Sequence, residues 1–335
     1  MLTLTEIIVM AVVAALFGCY VVTSIILLKF PHILHKKKNV KFRPRHISHR
    51  GGAGENLENT MTAFRFASDL GTEMLEIDCH ITKDGQVVVS HDNSLKRSCG
   101  VEGEIIDYNY KDLPPIQGVL SLDFMSSFQT RGGSDRQIPL LRDVFTAFPS
   151  MPINIDIKIN NDDLINKVND LIMEFNRESL TAWGNRSSEV TSKLYKKNPD
   201  VPLIFSMQRV LFLVITFYTG LLPFLPLKES LFEVLMPGAL LSGDKFHTPL
   251  NRKMRFLLKL ADILMMRPAL LQHLERRGIQ TYLWVLNSEE EFERAFKLGS
   301  TGVMTDFPTL LKDFLDKKYP EFQKEKGYQS VETMG

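Results

Sequence analysis

The stretch Ile47-Ser48-His49-Arg50-Gly51-Gly52-Ala53-Gly54-Glu55-Asn56-Leu57-Glu58-Asn59-Thr60 ("ISHRGGAGENLENT") sets the reading of the whole chain. A short predicted strand, Arg45–His49, ends in a histidine, and Arg50 follows at once. Gly51, Gly52 and Gly54 follow and let the backbone turn away sharply without a side chain filling the space. From Thr60 to Leu70 the apolar residues then recur at helical spacing. A strand that delivers polar side chains at its carboxyl end and passes into a helix is one unit of an α/β fold.

The same unit repeats outward from this point. Strands are predicted at Thr72–Asp78, Val87–His91, Ile153–Lys158, Leu180–Trp183, Pro202–Ser206, Thr281–Leu286 and Gly302–Thr305. Helices are predicted at Asp162–Phe175, Ser188–Lys196, Glu289–Leu298 and Pro308–Leu315. With Arg45–His49 these make eight strands, and the alternation predicts a TIM (β/α)8 barrel over residues 41–316. Two long interruptions remain, residues 94–138 after the third strand and residues 207–268 between the sixth and seventh.

At 335 residues, 44% hydrophobic and 24% charged, the chain can fill such a core. A net charge of +1 offers no basic surface for nucleic acid, and no protein partner is indicated. Three scattered cysteines, Cys19, Cys79 and Cys99, argue against a disulfide framework and for a reducing compartment.

Residues 1–40 depart from this average. Ile7 to Leu28 is an unbroken apolar run of roughly 22 residues, which at about 1.5 Å per residue crosses a ~30 Å hydrocarbon layer. A cleaved signal peptide is the competing reading, but no basic stretch precedes the run and no small-residue cleavage site follows it. Lys29, Lys36, Lys37, Lys38, Lys41, Arg43 and Arg45 lie just beyond, against Glu6 on the other side. The positive-inside rule therefore predicts a single span with the barrel on the cytosolic face, and the endoplasmic reticulum or another internal membrane is the expected location. The basic cluster also suits anionic lipid.

A second apolar stretch, Val210 to Leu227, is interrupted by Gly220, Pro223 and Pro226. A single crossing there would leave barrel strands on both sides of the bilayer. A re-entrant or interfacial membrane-associated insertion is expected instead, with a buried core helix as the alternative. The polar tail, residues 317–335, reads as disordered.

Polar residues gather at the carboxyl ends of the strands, where a parallel barrel builds its site. His49 and Arg50 end the first strand, Glu76 and Asp78 the second, His91 and Asp92 the third, Asp156 and Lys158 the fourth. Alternation puts Glu76 and Asp78 on one side of their strand, and likewise Asp156 and Lys158. Three converging carboxylates call for a divalent cation, and oxygen-only ligands favour Mg²⁺ or Ca²⁺ over zinc. Glu58 and Asn59 read as positioning or helix-capping residues, with Asn59 as the N-cap. Trp284 either stacks on substrate or packs the barrel mouth.

Taken together, His49-Arg50-Gly51, Glu58-Asn59-Thr60, Glu76-Ile77-Asp78, Thr82-Lys83-Asp84-Gly85, His91-Asp92, Asp156-Ile157-Lys158, Trp284-Val285-Leu286-Asn287 and Gly302-Val303-Met304-Thr305-Asp306-x-Pro308 resemble the glycerophosphodiester phosphodiesterases. The resemblance covers roughly residues 45–315, and the apolar N-terminus and 210–227 stretch resemble that family's membrane-bound lysophospholipase D branch. It implies a metal-dependent phosphodiesterase in which His49 and His91 are acid and base, Arg50 and Lys158 neutralise phosphate, and Glu76, Asp78 and Asp156 hold the metal. The family commonly has glutamate where Asp156 stands, so this ligand is one methylene shorter. By analogy, a neighbouring glycerol hydroxyl of the substrate attacks phosphorus and expels the head-group alcohol, leaving a cyclic phosphate for water to open. Lysophospholipids such as lysophosphatidylcholine, lysophosphatidylethanolamine and their N-acyl forms, or glycerophosphodiesters, are the implied substrates. Phospholipase C-like cleavage on the same barrel, or a catalytically silent lipid-binding protein, are the competing readings.

Overall fold

The computed structural model describes residues 2–123, 125–241 and 250–322. The tail beyond Phe322 and residues 242–249 of the second interruption lie outside it. The strands are β1 (His46–Ser48), β2 (Met74–Ile81), β3 (Val87–Val89), β4 (Val119–Leu122), β5 (Met125–Arg131), β6 (Ile153–Ile157), β7 (Thr181–Gly184), β8 (Leu231–Leu235), β9 (Gln280–Trp284) and β10 (Gly302–Thr305). Among the helices are α1 (Leu4–Lys29), α2 (Met61–Leu70), α3 (Leu95–Cys99), α4 (Leu141–Ala147), α5 (Asp162–Glu174), α6 (Ser188–Lys197) and α7 (Met207–Tyr218). They continue with α8 (Arg252–Met265), α9 (Pro268–Arg276), α10 (Glu289–Leu298) and α11 (Pro308–Lys318).

The barrel is parallel and nearly closed, in the order β7-β6-β2-β1-β10-β9-β8. Leu203 and Ile204 bridge β7 on one side and β8 on the other, so this short segment is the eighth stave. The β-branched and leucine-rich staves are buried on both faces, as parallel strands must be under a ring of helices. Two large clusters fill the space between strands and helices, one around Phe64, Phe145 and Trp183, the other around Phe232, Phe292 and Phe314.

Two assignments made from the sequence change. Val87–His91 is not a barrel stave: β3 runs antiparallel to β2, with Cys79 opposite Val89 and Ile81 opposite Val87. The Asp84-Gly85 pair, with Gly85 at φ 75°, makes the tight turn that sends the chain back. The missing stave is β8, which lies inside the 207–268 segment. Residues 94–138 form an excursion with a small core of its own around Leu57, Ile105, Ile116 and Leu120, and carry the β4–β5 hairpin.

α1 has 26 residues and is long and apolar enough to cross a membrane. Its amino-terminal half is exposed, while its later turns rest on the barrel. Tyr20 Oη donates to Thr219 O at 2.6 Å, Ser24 Oγ donates to Gly220 O at 2.7 Å, and His273 Nδ1 lies 2.9 Å from Leu28 O. α7 is shorter, at 12 residues, and two-faced: Val210, Leu213 and Val214 are buried, whereas Met207, Leu211 and Ile215 are exposed. Helix geometry ends at Gly220, as its positive φ of 76° allows.

Candidate active site

At the carboxyl end of β1 the backbone coils tightly through three left-handed residues, Arg50 (φ 50°), Gly51 (φ 79°) and Gly52 (φ 96°). Arginine accepts this conformation at a cost, and such strain is typical of functional sites. Gly52 is required twice over, because a Cβ there would stand 2.7 Å from Pro308. The coil turns the Arg50 amide to Glu76 Oε2 at 2.9 Å and aims the guanidinium across the mouth. Arg50 Nη1 meets Glu58 at 3.2 Å, Nη2 meets Asp123 at 2.9 Å, and Nε lies 3.5 Å from Asp78.

His49 is buried at the same turn, with Nδ1 2.7 Å from Asp306 Oδ1 and Nε2 3.9 Å from Glu76 Oε2. Asn287 Nδ2 donates to the other Asp306 oxygen at 2.9 Å, and the Asp306 amide donates to Asn287 Oδ1 at 3.0 Å. Burial opposes charge on Asp306, but the adjacent His49 and these hydrogen bonds hold its carboxyl below the usual range. His91 arrives by the hairpin: the Ser90 amide donates to Asp78 O at 2.9 Å, which ties the returning chain to β2. Its Nδ1 is 2.6 Å from Asp92 Oδ1. Arg97 on α3 clamps Asp92 and Glu58 together. Despite its burial, Asp92 is held well below the ordinary carboxylate range by His91 and Arg97.

The acidic group stands where β2 and β6 pair, with Asp78 and Asp156 in register. Lys158 Nζ sits between them, 2.7 Å from Asp78 Oδ1 and 2.7 Å from Asp156 Oδ2. The charge crowding expected to need a cation is met here by Lys158 and Arg50, which overcome the burial of Asp78 and hold it ionised. Glu76 behaves oppositely: burial first, then repulsion from Asp78, push its pKa well up. Among the described residues no group of three histidine, cysteine or acidic side chains is arranged to hold a metal. Asp156 Oδ1, however, is buried with no hydrogen-bond partner. An unused carboxylate oxygen beside an unfavourably charged glutamate suits a hard divalent cation.

The sequence therefore placed His49, Arg50, Glu76, Asp78, His91, Asp156 and Lys158 at one rim, while the two cations meet carboxylates instead of standing free. Trp284, ending β9, is half-buried against the barrel-interior cluster. Asn59 is not the helix cap: Thr60 accepts from Ala63 N at 3.2 Å, and Asn59 Nδ2 instead donates to Asp78 Oδ2 at 2.9 Å. Asp306, Asn287, Arg97, Asp123 and Glu233 had no assigned role. Glu233 on β8 receives a hydrogen bond from Asn154 Nδ2, and burial, with Glu76 nearby, pushes its pKa up to about 8. Asp306 directly follows β10, so the strand-end rule that found the others also points to it.

The model of the glycerophosphoryl diester phosphodiesterase family matches residues 49–310. Human lysophospholipase D GDPD1 is 56% identical over 298 residues, 89% of this chain and 94% of that protein. Human lysophospholipase D GDPD3 is 38% identical over 303 residues, 90% of this chain and 95% of that protein. Among solved structures, a glycerophosphoryl diester phosphodiesterase domain from Mycobacterium tuberculosis shares the fold at 14% identity. Its TM-score is 0.61, over 81% of this chain and 98% of that one. The chain belongs to the glycerophosphoryl diester phosphodiesterase family.

Proposed function

We propose that this chain is a membrane-anchored, metal-dependent lysophospholipase D. It cleaves lysophosphatidylcholine, lysophosphatidylethanolamine, their N-acyl forms or glycerophosphodiesters to lysophosphatidic acid or glycerol phosphate plus the head-group alcohol. The observation that carries this reading is the pair of imidazoles, His49 and His91, each tied through Nδ1 to a carboxylate beside one cationic and acidic cluster. The names of the two human relatives support the substrate class.

With Nδ1 of each histidine held by a carboxylate, Nε2 is the atom that would exchange protons with substrate. The free glycerol hydroxyl of a lysophospholipid attacks phosphorus and gives its proton to one imidazole. The P–O bond to the head group breaks, and the other imidazole protonates the departing alcohol. Water then opens the cyclic phosphate with the proton flow reversed. Arg50 and Lys158 balance charge on the non-bridging oxygens, and phosphate competes for them with Asp123, Glu58 and Asp156. A divalent cation, Mg²⁺ or Ca²⁺, held by Glu76, Asp78 and Asp156 would add positive charge at phosphate and acidify the attacking hydroxyl.

α1, about 39 Å long at 1.5 Å per residue, is read as the membrane span. The basic residues after it support a reading in which the barrel faces the cytosol, at an internal membrane. The test is turnover of lysophosphatidylcholine by detergent-solubilised full-length protein with Mg²⁺ or Ca²⁺. His49→Ala and His91→Ala should each lower it by at least about 10²-fold while circular dichroism stays unchanged. Near-normal turnover by either variant would overturn the assignment.

A further inference from the structure

α8 is unlike every barrel helix around it, because none of its 14 residues is buried. Its outer face carries Phe256, Leu260 and Ile263 at i, i+4 and i+7, with Phe256 64% exposed. At 100° per residue this stripe is flanked by Arg252, Arg255 and Lys259 on one side and Lys253 on the other, all exposed. None of these four cations meets an acidic side chain among the described residues. The one acidic residue of the helix, Asp262, is turned inward, where its oxygens bind the Gly238 amide at 2.6 Å and Arg294. The sidedness is therefore fixed: charge pairing points into the protein, while apolar and cationic groups point out.

The face is continued by its neighbour. Tyr218 Oη, at the end of α7, donates to Leu264 O at 3.1 Å, and α7 adds Met207, Leu211 and Ile215 to the exposed apolar surface. The turn after α7 is in turn gripped by α1 through Tyr20 and Ser24. Exposed apolar residues thus lie on each of three linked helices, α1, α7 and α8. Exposed apolar side chains gathered on neighbouring helices mark an interaction or membrane-facing surface.

We propose that α8 is an interfacial helix that seats the barrel on a bilayer bearing anionic lipid, its apolar stripe entering the acyl boundary and its four cations meeting acidic headgroups. These cations, which meet no acidic side chain among the described residues, choose the partner, because a neutral bilayer would leave them uncompensated, whereas an anionic surface gains about fivefold in partitioning per basic residue. This rests on the reading of α1 as a membrane span, but not on the catalytic chemistry.

The experiment uses the full chain reconstituted into vesicles containing lipids brominated along the acyl chain. Phe256→Trp adds an indole whose emission is compared with that of the parent, which has only Trp183 and Trp284. In vesicles containing phosphatidylserine, the added emission should be quenched at least about fivefold more than in pure phosphatidylcholine. Arg252→Gln/Lys253→Gln/Arg255→Gln/Lys259→Gln should abolish that difference while leaving turnover of a water-soluble glycerophosphodiester unchanged. Equal quenching in both vesicles, or none in either, overturns the proposal, and capture of a protein on this face without quenching does so too. Failure of the lysophospholipase D reading would show instead as absent turnover with quenching intact.

Discussion

The two histidines are held alike and housed differently. His49 and Asp306 end adjacent parallel staves, β1 and β10, and are almost fully enclosed, their side chains 10% and 2% exposed. His91 and Asp92 sit on the return of an antiparallel hairpin, with side chains 27% and 24% exposed, and are steadied by Arg97 from the excursion. One imidazole–carboxylate pair is thus fixed by the barrel itself, where low dielectric strengthens its hydrogen bond. The other is fixed by an addition to the barrel, within reach of water, where the same contact is worth less.

The largest effect should fall on the enclosed side. Asp306→Asn removes the acceptor that sets the His49 tautomer and should lower turnover by about 10²-fold or more, measured with lysophosphatidylcholine at saturation. Asp92→Asn should cost only about tenfold, and an equal loss at both positions would erase the distinction between the two arms. Arg97→Gln, one step further out, should lower turnover a few-fold, because Arg97 braces Asp92 and Glu58. Glu233→Gln should have the smallest effect and show it in stability. A carboxyl raised in the fold from an ordinary 4.5 to about 8 keeps a proton that the unfolded chain has released. Its stabilising contribution is full below about pH 4.5 and fades as pH rises toward 8. Thermal melts across that window should slope downward for the wild type and less so for the variant.

The same contrast explains what was legible in the sequence. The buried staves β1, β2, β6, β9 and β10 carry apolar runs that end in polar residues, so the strand-end rule located His49, Glu76, Asp78 and Asp156. It presumes that every strand is parallel, and therefore misread Val87–His91, whose Asp84-Gly85 turn was the overlooked signal. β8 was hidden because Glu233 interrupts its apolar pattern inside a stretch otherwise read as membrane-associated. Glu233 went unseen with it. Arg97 and Asp123 reach the mouth from an irregular excursion whose path no local periodicity specifies. Asn59 looked like a cap by position, but Thr60 next to it took that task and left Asn59 to orient Asp78.

The most direct measurement follows the fate of the phosphate. Full-length protein supplied with a divalent cation is incubated with lysophosphatidylcholine and, separately, with diacyl phosphatidylcholine, and all products are identified by mass. Attack by the substrate's own glycerol hydroxyl predicts lysophosphatidic acid and choline from the first, a transient cyclic phosphate, and no comparable conversion of the second. Monoacylglycerol with phosphocholine, or equal cleavage of both lipids, would contradict it.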